Sequence, residues 1–164
     1  MTRWFPLEPA GAEVFTTAPE IHRFPVRLAV PPSQVWESLQ SDESLAAWGA
    51  GVRSVRWTTP RPFGVGTTRE VTLPLRLATV RERFFRWDEG RGYSFYVYEC
   101  NRPLFRRFAE DYLVQADGSG SLFTWTIAIE PNPRLAPVLR FGAPVNRLAF
   151  GQVARSARRY FARR

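Results

Sequence analysis

Arg69 and Glu82 are the residues of this 164-residue chain whose types and positions most readily make a site. Arg69 shares a strand face with Val71 and Leu73, and Glu82 shares one with Val80 and Phe84. If Leu75-Arg76 is a two-residue hairpin loop, Val71 stands opposite Val80 and Arg69 opposite Glu82. A buried ion pair is costly to desolvate and is weak evidence for stability. It makes more sense as a polar anchor in an apolar pocket. Arg offers a planar donor fork for a ligand carboxylate, ketone or enolate, and Glu82 could carry a proton. These two are the candidate catalytic residues. In the other reading the register differs and both are solvated strand charges, because Leu75-Arg76 lacks the Gly or Asn that a primed turn favours.

The remaining reactive groups are few. His22 is the single histidine and Cys100 the single cysteine. They cannot furnish a zinc site of the usual nitrogen and sulfur type, and a two-His site is impossible, so no metal is expected. His22 could act as a general base, or simply end a strand at the domain rim. Cys100 reads as an inert thiol. All 23 cations are Arg, and the absence of Lys removes Schiff-base and Walker-type phosphate chemistry. Tyr96, Tyr98 and Tyr112 supply hydroxyls, but strand parity forbids Asp111 and Tyr112 both facing inward. The formal net charge of +8 admits nucleic acid, anionic lipid or an acidic partner. Nothing resembles an RNA-binding sheet motif or a recognition helix, so nucleic acid is disfavoured.

The elements that must position these groups follow from periodicity. Residues 1–20, broken by Pro6, Pro9, Gly11 and Pro19, read as an extended arm with no apolar leader. From Ile21 the pattern has period two, with His22, Phe24, Val26, Leu28 and Val30 on one face, and Pro25 points to an edge strand or a kink. Pro31-Pro32-Ser33 opens a helix carrying Val35, Trp36 and Leu39, and Ser41-Asp42 can cap a second short helix to Trp48. Six strands follow, over residues 52–58, 67–73, 77–87, 93–99, 106–114 and 122–130, with turns at Asp88-Glu89-Gly90-Arg91-Gly92 and Asp117-Gly118-Ser119-Gly120. After Pro133 the period becomes helical through Val138, Phe141, Val145, Leu148, Val153, Ala157 and Tyr160, with a kink or break expected at Pro144. Arg155, Arg158, Arg159 and Arg163 make a basic face on its last turns. That face suits peripheral contact with an anionic membrane, or is a solvated face that complements the helix dipole. No run approaches the roughly 18 apolar residues of a membrane span, and the cytoplasm is the expected compartment. The order predicts an α+β domain over 21–164 with a sheet of about seven antiparallel strands.

This order resembles the START-like helix-grip (SRPBCC) superfamily, and its polyketide cyclase/dehydrase-type branch in particular. The resemblance is collinear over residues 21–163. It is carried by Val30-Pro31-Pro32-Ser33-Gln34-Val35-Trp36, Leu45-Ala46-Ala47-Trp48, Gly64-Val65-Gly66-Thr67-Thr68-Arg69-Glu70-Val71, Arg81-Glu82-Arg83-Phe84, Trp87-Asp88-Glu89-Gly90-Arg91 and Phe123-Thr124-Trp125-Thr126, followed by the last helix. It implies a curved antiparallel sheet wrapped around a long C-terminal helix, with a cavity between them for a hydrophobic or amphipathic ligand and Glu82 turned into it. No cofactor is implied, and no universal catalytic motif exists to carry over.

On this basis the chain is expected to bind a small hydrophobic or aromatic molecule. The expected site comprises Trp48, Arg69, Val71, Val80, Glu82, Phe84, Phe95, Tyr112, Phe123, Trp125 and Ile127, with Phe141, Val145 and Leu148 from the last helix. The alternatives are a polyketide aromatase/cyclase or dehydratase using the same cavity, and a lipid-transfer or membrane-peripheral module.

Overall fold

The computed structural model describes residues 2–48, 51–134, 148, 151–153 and 155–163. Strands β1 (Phe5–Pro6), β2 (Glu20–Leu28), β3 (Ser54–Trp57), β4 (Thr68–Thr72), β5 (Thr79–Asp88), β6 (Gly92–Cys100), β7 (Phe105–Asp117) and β8 (Gly120–Pro131) form an open antiparallel sheet. Its order is β2-β8-β7-β6-β5-β4-β3, so the first long strand lies beside the last, and β2 is an edge as Pro25 requires. Helices α1 (Val14–Thr17) and α2 (Pro32–Gln40) and a 3-10 turn at Ser44–Trp48 precede β3. In the C-terminal helix, residues 148, 151–153 and 155–161 are helical.

Local chemistry accounts for the boundaries. Pro32 sits in the first turn of α2, where its missing N–H costs nothing. Ser41 then caps the 3-10 turn, its Oγ accepting from the Ser44 N–H at 2.9 Å. The β4–β5 hairpin has the expected register, with Val71 opposite Val80 and Arg69 opposite Glu82. Its tip is not a primed two-residue loop but a 3-10 turn at Pro74–Arg76 in which Leu75 adopts φ 55°. Between β5 and β6, Gly92 has φ 148°, and a Cβ there would lie 2.0 Å from the Tyr112 carbonyl oxygen. Only glycine lets β6 begin that close to β7.

The first twenty residues are extended only in part, and they pack on the sheet. β6 pairs with β7 over Gly92–Tyr96, and the two strands then diverge. The N-terminal segment fills the gap: Phe5 and Pro6 pair with Cys100 and Glu99, and the N–H groups of Leu7 and Glu8 donate to the carbonyls of Tyr98 and Arg106 at 3.0 Å. Leu7 packs with Val71, Val80, Val97 and Cys100. Val14 is fully buried on the outer face against Ala109 and Ala128.

The main core lies on the opposite, concave face. Val35, Trp36 and Leu39 of α2, and Ala157 and Phe161 of the C-terminal helix, meet the inward residues of β2 and β5–β8. Trp48 makes edge contacts with Phe123 at 5.3 Å and Phe161 at 5.6 Å, joining the 3-10 turn, sheet and last helix. Among the described residues, no helix is long and apolar enough to cross a membrane.

Candidate ligand-binding site

Strand alternation leaves a cavity of about 160 Å³ between the sheet and the elements that cover it. β4 and the residue after it contribute Val71 and Leu73, β5 contributes Val80 and Glu82, and β6 contributes Val97. The far side is made by Phe105, Phe108, Glu110 and Tyr112 of β7 and by Phe123 and Trp125 of β8. Leu45 and Trp48 of the 3-10 turn, Gly51, Val52 and Val153 of the C-terminal helix complete the described lining. Among the described lining residues, Glu82, Glu110 and the Tyr112 hydroxyl interrupt an apolar surface.

Arg69 and Glu82 do meet inside the fold. Arg69 Nε donates to Glu82 Oε2 at 2.5 Å, with the arginine side chain 0% and the glutamate 7% exposed. A bulge in the β5–β6 register between Arg81 and Glu82 accompanies the turn of Glu82 into the cavity. The guanidinium is wedged among rings, 4.7 Å from the Phe95 centroid and 5.0 Å from that of Phe84. Its Nη1 donates weakly to Ser44 Oγ and Tyr93 Oη at 3.3 and 3.4 Å. Its Nη2 has no hydrogen-bond partner among the described residues. Burial opposes the guanidinium charge, yet Glu82 and the ring hydroxyls nearby hold its pKa above the ordinary value. Burial raises Glu82, with Arg69 opposing.

Glu110 forms a second buried polar centre. Its Oε2 accepts from the Tyr112 hydroxyl at 2.6 Å and from the Trp125 indole at 2.9 Å. Burial, reinforced by the Glu82 charge, pushes its carboxyl up to about 7 despite those donors. Burial likewise raises the Tyr112 phenol well above its ordinary value, so it stays a neutral donor. Sequence reasoning missed Glu110. The signal was the period of β7: Tyr112 turned inward carries Glu110 with it, while Asp111 faces out to Arg86 and Ser94 at 2.7 and 2.6 Å.

Of the expected site residues, the cavity lining contains Trp48, Val71, Val80, Glu82, Tyr112, Phe123 and Trp125. Arg69, Phe84, Phe95 and Ile127 are buried but outside the lining. The first three form a packed layer behind Glu82, which corrects the expectation that the Arg69 fork faces a ligand. Leu148 is 64% exposed and is likewise not part of the lining, whereas Val153 supplies that contact from the same helix. Phe141 and Val145 lie outside the described residues, as does the kink expected at Pro144. His22 is not a free rim residue: its side chain is 10% exposed, with Nε2 2.6 Å from Glu20 Oε1. Cys100 is fully buried, and burial raises its thiol pKa, which keeps it unreactive. Tyr96 and Tyr98 serve the outer face, where Tyr96 packs near Ala10 and Val14 and Tyr98 lies under Arg83. Arg155, Arg158, Arg159 and Arg163 are all exposed. No group of His, Cys, Asp and Glu among the described residues is arranged to hold a metal ion.

Comparison with known proteins places this geometry. An uncharacterized protein of Mycobacterium tuberculosis is 35% identical over 156 residues, covering 95% of this chain and 93% of the relative. A Thermus thermophilus protein of known structure superposes with TM-score 0.69 at 16% identity, covering 87% of this chain and 97% of that one. The major latex-like protein 151 of Panax ginseng superposes with TM-score 0.63 at 14% identity, with coverages of 87% and 97%. At such identities the solved structures speak for the fold alone, which is the helix-grip architecture of a sheet closed by a C-terminal helix. The family described as polyketide cyclase / dehydrase and lipid transport matches residues 23–163, from β2 through the last helix, and the chain belongs to that family.

Proposed function

We propose that the chain binds a small hydrophobic molecule in the cavity between sheet and C-terminal helix. The observation that carries this reading is the described lining itself: a space of about 160 Å³ walled by aliphatic and aromatic side chains, with the Glu82 and Glu110 carboxylates and the Tyr112 phenol among them. Apolar burial supplies the binding free energy, at about 25 cal/mol per Å² before ordering costs. The polar groups fix orientation. The neutral fluorophore N-phenyl-1-naphthylamine is expected to bind one equivalent with enhanced emission. Val71→Trp and Val80→Trp, which push an indole into the space, are expected to weaken it at least about tenfold by taking up the apolar surface. Unchanged affinity in both folded variants would remove the cavity as the binding site.

A second reading is favoured by Glu110 and Tyr112, which put a proton donor and acceptor in one apolar wall. In it the chain is a cyclase or dehydratase that folds a poly-β-ketone against the aromatic surface. Glu110 moves a proton between substrate carbon and oxygen near neutral pH. A synthetic β-polyketone thioester is expected to cyclise faster with the protein than in buffer, and at least about a hundredfold more slowly once Glu110 is replaced by Gln. Equal rates with protein and with buffer would dispose of the enzyme reading and leave the binding one intact.

A further inference from the structure

The polar chemistry of the cavity is lopsided. Glu82 and Glu110 line it, and no arginine does among the described residues. Arg69, the one buried arginine among them, stands behind Glu82 and directs Nε to that carboxylate. Glu110 has an unsatisfied side. Its Oε2 takes both donors, from Tyr112 and Trp125, while Oε1 has no hydrogen bond among the described residues, although Glu110 is only 9% exposed. When Glu110 is neutral, its proton therefore belongs on Oε1, since Oε2 already accepts twice.

Among the described residues, none in contact with Glu110 supplies a compensating cation. β7 presents the Tyr112 phenol and β8 the Trp125 indole. β5 presents Glu82, with Arg69 of β4 and Tyr93 of β6 beyond it. On β2, His22 Nε2 is held at Glu20. From the C-terminal helix the described lining residue is Val153. Among the described residues an ionised Glu110 thus has no partner of opposite sign in contact with it, consistent with a carboxyl raised to about 7.

We propose that the open oxygen of Glu110 is the recognition point for a cationic head group: the cavity takes an apolar molecule carrying one protonated amine. The ammonium N–H donates to Glu110 Oε1, and the apolar body lies along Phe123 and Trp125, whose ring faces also attract a cation. A ligand carboxylate is the disfavoured class, because it would bring a further anion to a space whose described lining already holds two carboxyl groups. This inference rests on the cavity being the ligand site, and it reverses the ligand charge that an inward-facing Arg69 would select.

The test uses three probes with one apolar body: 4-phenylbutylamine, 4-phenylbutan-1-ol and 4-phenylbutanoate, titrated calorimetrically into the full chain. At about pH 8 the amine is expected to bind at least about tenfold tighter than the butanoate. Its advantage over the alcohol is expected to shrink several-fold at about pH 5.5, as Glu110 takes up its proton. Glu110→Gln is expected to abolish the preference for the amine over the alcohol at about pH 8. Butanoate binding as tightly as the amine would overturn the proposal, and so would an unchanged ranking in a folded Glu110→Gln variant. Should that variant not fold, a pH-independent ratio of amine to alcohol affinity in the natural chain would overturn it equally. Alcohol binding without amine binding sinks this inference and leaves the cavity reading standing, whereas failure of all three probes sinks both.

Discussion

Arg69→Met is expected to destabilise the protein by about 3–5 kcal/mol, the usual cost of removing one partner from a buried pair. For a domain of this size that is a fall in Tm of roughly 6–20 °C. The substitution keeps an unbranched side chain among Phe84, Phe95 and Tyr93, so lost volume is a small part of the effect. The large part is Glu82, left 7% exposed with no cation beside it. The loss should grow as pH rises. A carboxyl held neutral by burial in the folded state gives up stability progressively above its unfolded pKa, because the unfolded chain releases the proton more readily. Adding Glu82→Leu to Arg69→Met should restore most of the stability, since an apolar pair of similar volume carries no desolvation cost. Thermal denaturation of the two single variants and the double variant at several pH values checks this. A double variant no more stable than Arg69→Met would mean that the guanidinium's ring contacts, not the charge pair, hold this layer together.

Glu110→Gln is expected to do the opposite at alkaline pH. Burial pushes the folded carboxyl up to about 7 from the ordinary 4.5, so the folded state holds the proton more tightly than the unfolded chain. Its contribution is complete below the unfolded pKa and is lost between there and about pH 7. The difference corresponds to roughly 3 kcal/mol, to within a factor of two. Glutamine cannot ionise, keeps an oxygen for the Tyr112 and Trp125 donors, and removes this slope. The variant should therefore melt close to the natural protein at about pH 4.5 and several degrees higher at about pH 8, with a flatter profile between. Parallel profiles for the two proteins would show that Glu110 is ionised in the fold throughout this range.

The fold was legible because its strands alternate and its breaks are prolines and glycines. Pro25 marked the edge, and the chemistry of Ser41 marked the cap. The pairing of Arg69 with Glu82 was readable from parity and hairpin length, although the turn takes another form than the primed loop assumed for it. What parity cannot encode is depth. Arg69 and Glu82 share one face, yet sheet curvature and the bulge at Glu82 put the acid in the lining and the base behind it. Phe84 and Phe95 became layers under the guanidinium for the same reason. Glu110 escaped notice because Glu110 and Asp111 are adjacent acids that put one carboxyl on each face of β7. That side is fixed by partners distant in sequence, Trp125 within and Arg86 without.

The pairing of β2 with β8 has a consequence for how the chain is made. Glu20–Leu28 can dock only on Ser121–Ile129, the two segments being separated by most of the domain. On a ribosome adding 5–20 residues per second, β2 emerges roughly 5–20 s before its partner exists. For that interval Phe24, Val26 and Leu28 belong to a nascent segment without its sheet neighbour. Arg23, Pro25 and Arg27, alternating with them, are the kinds of residue that keep such a strand from joining the wrong neighbour.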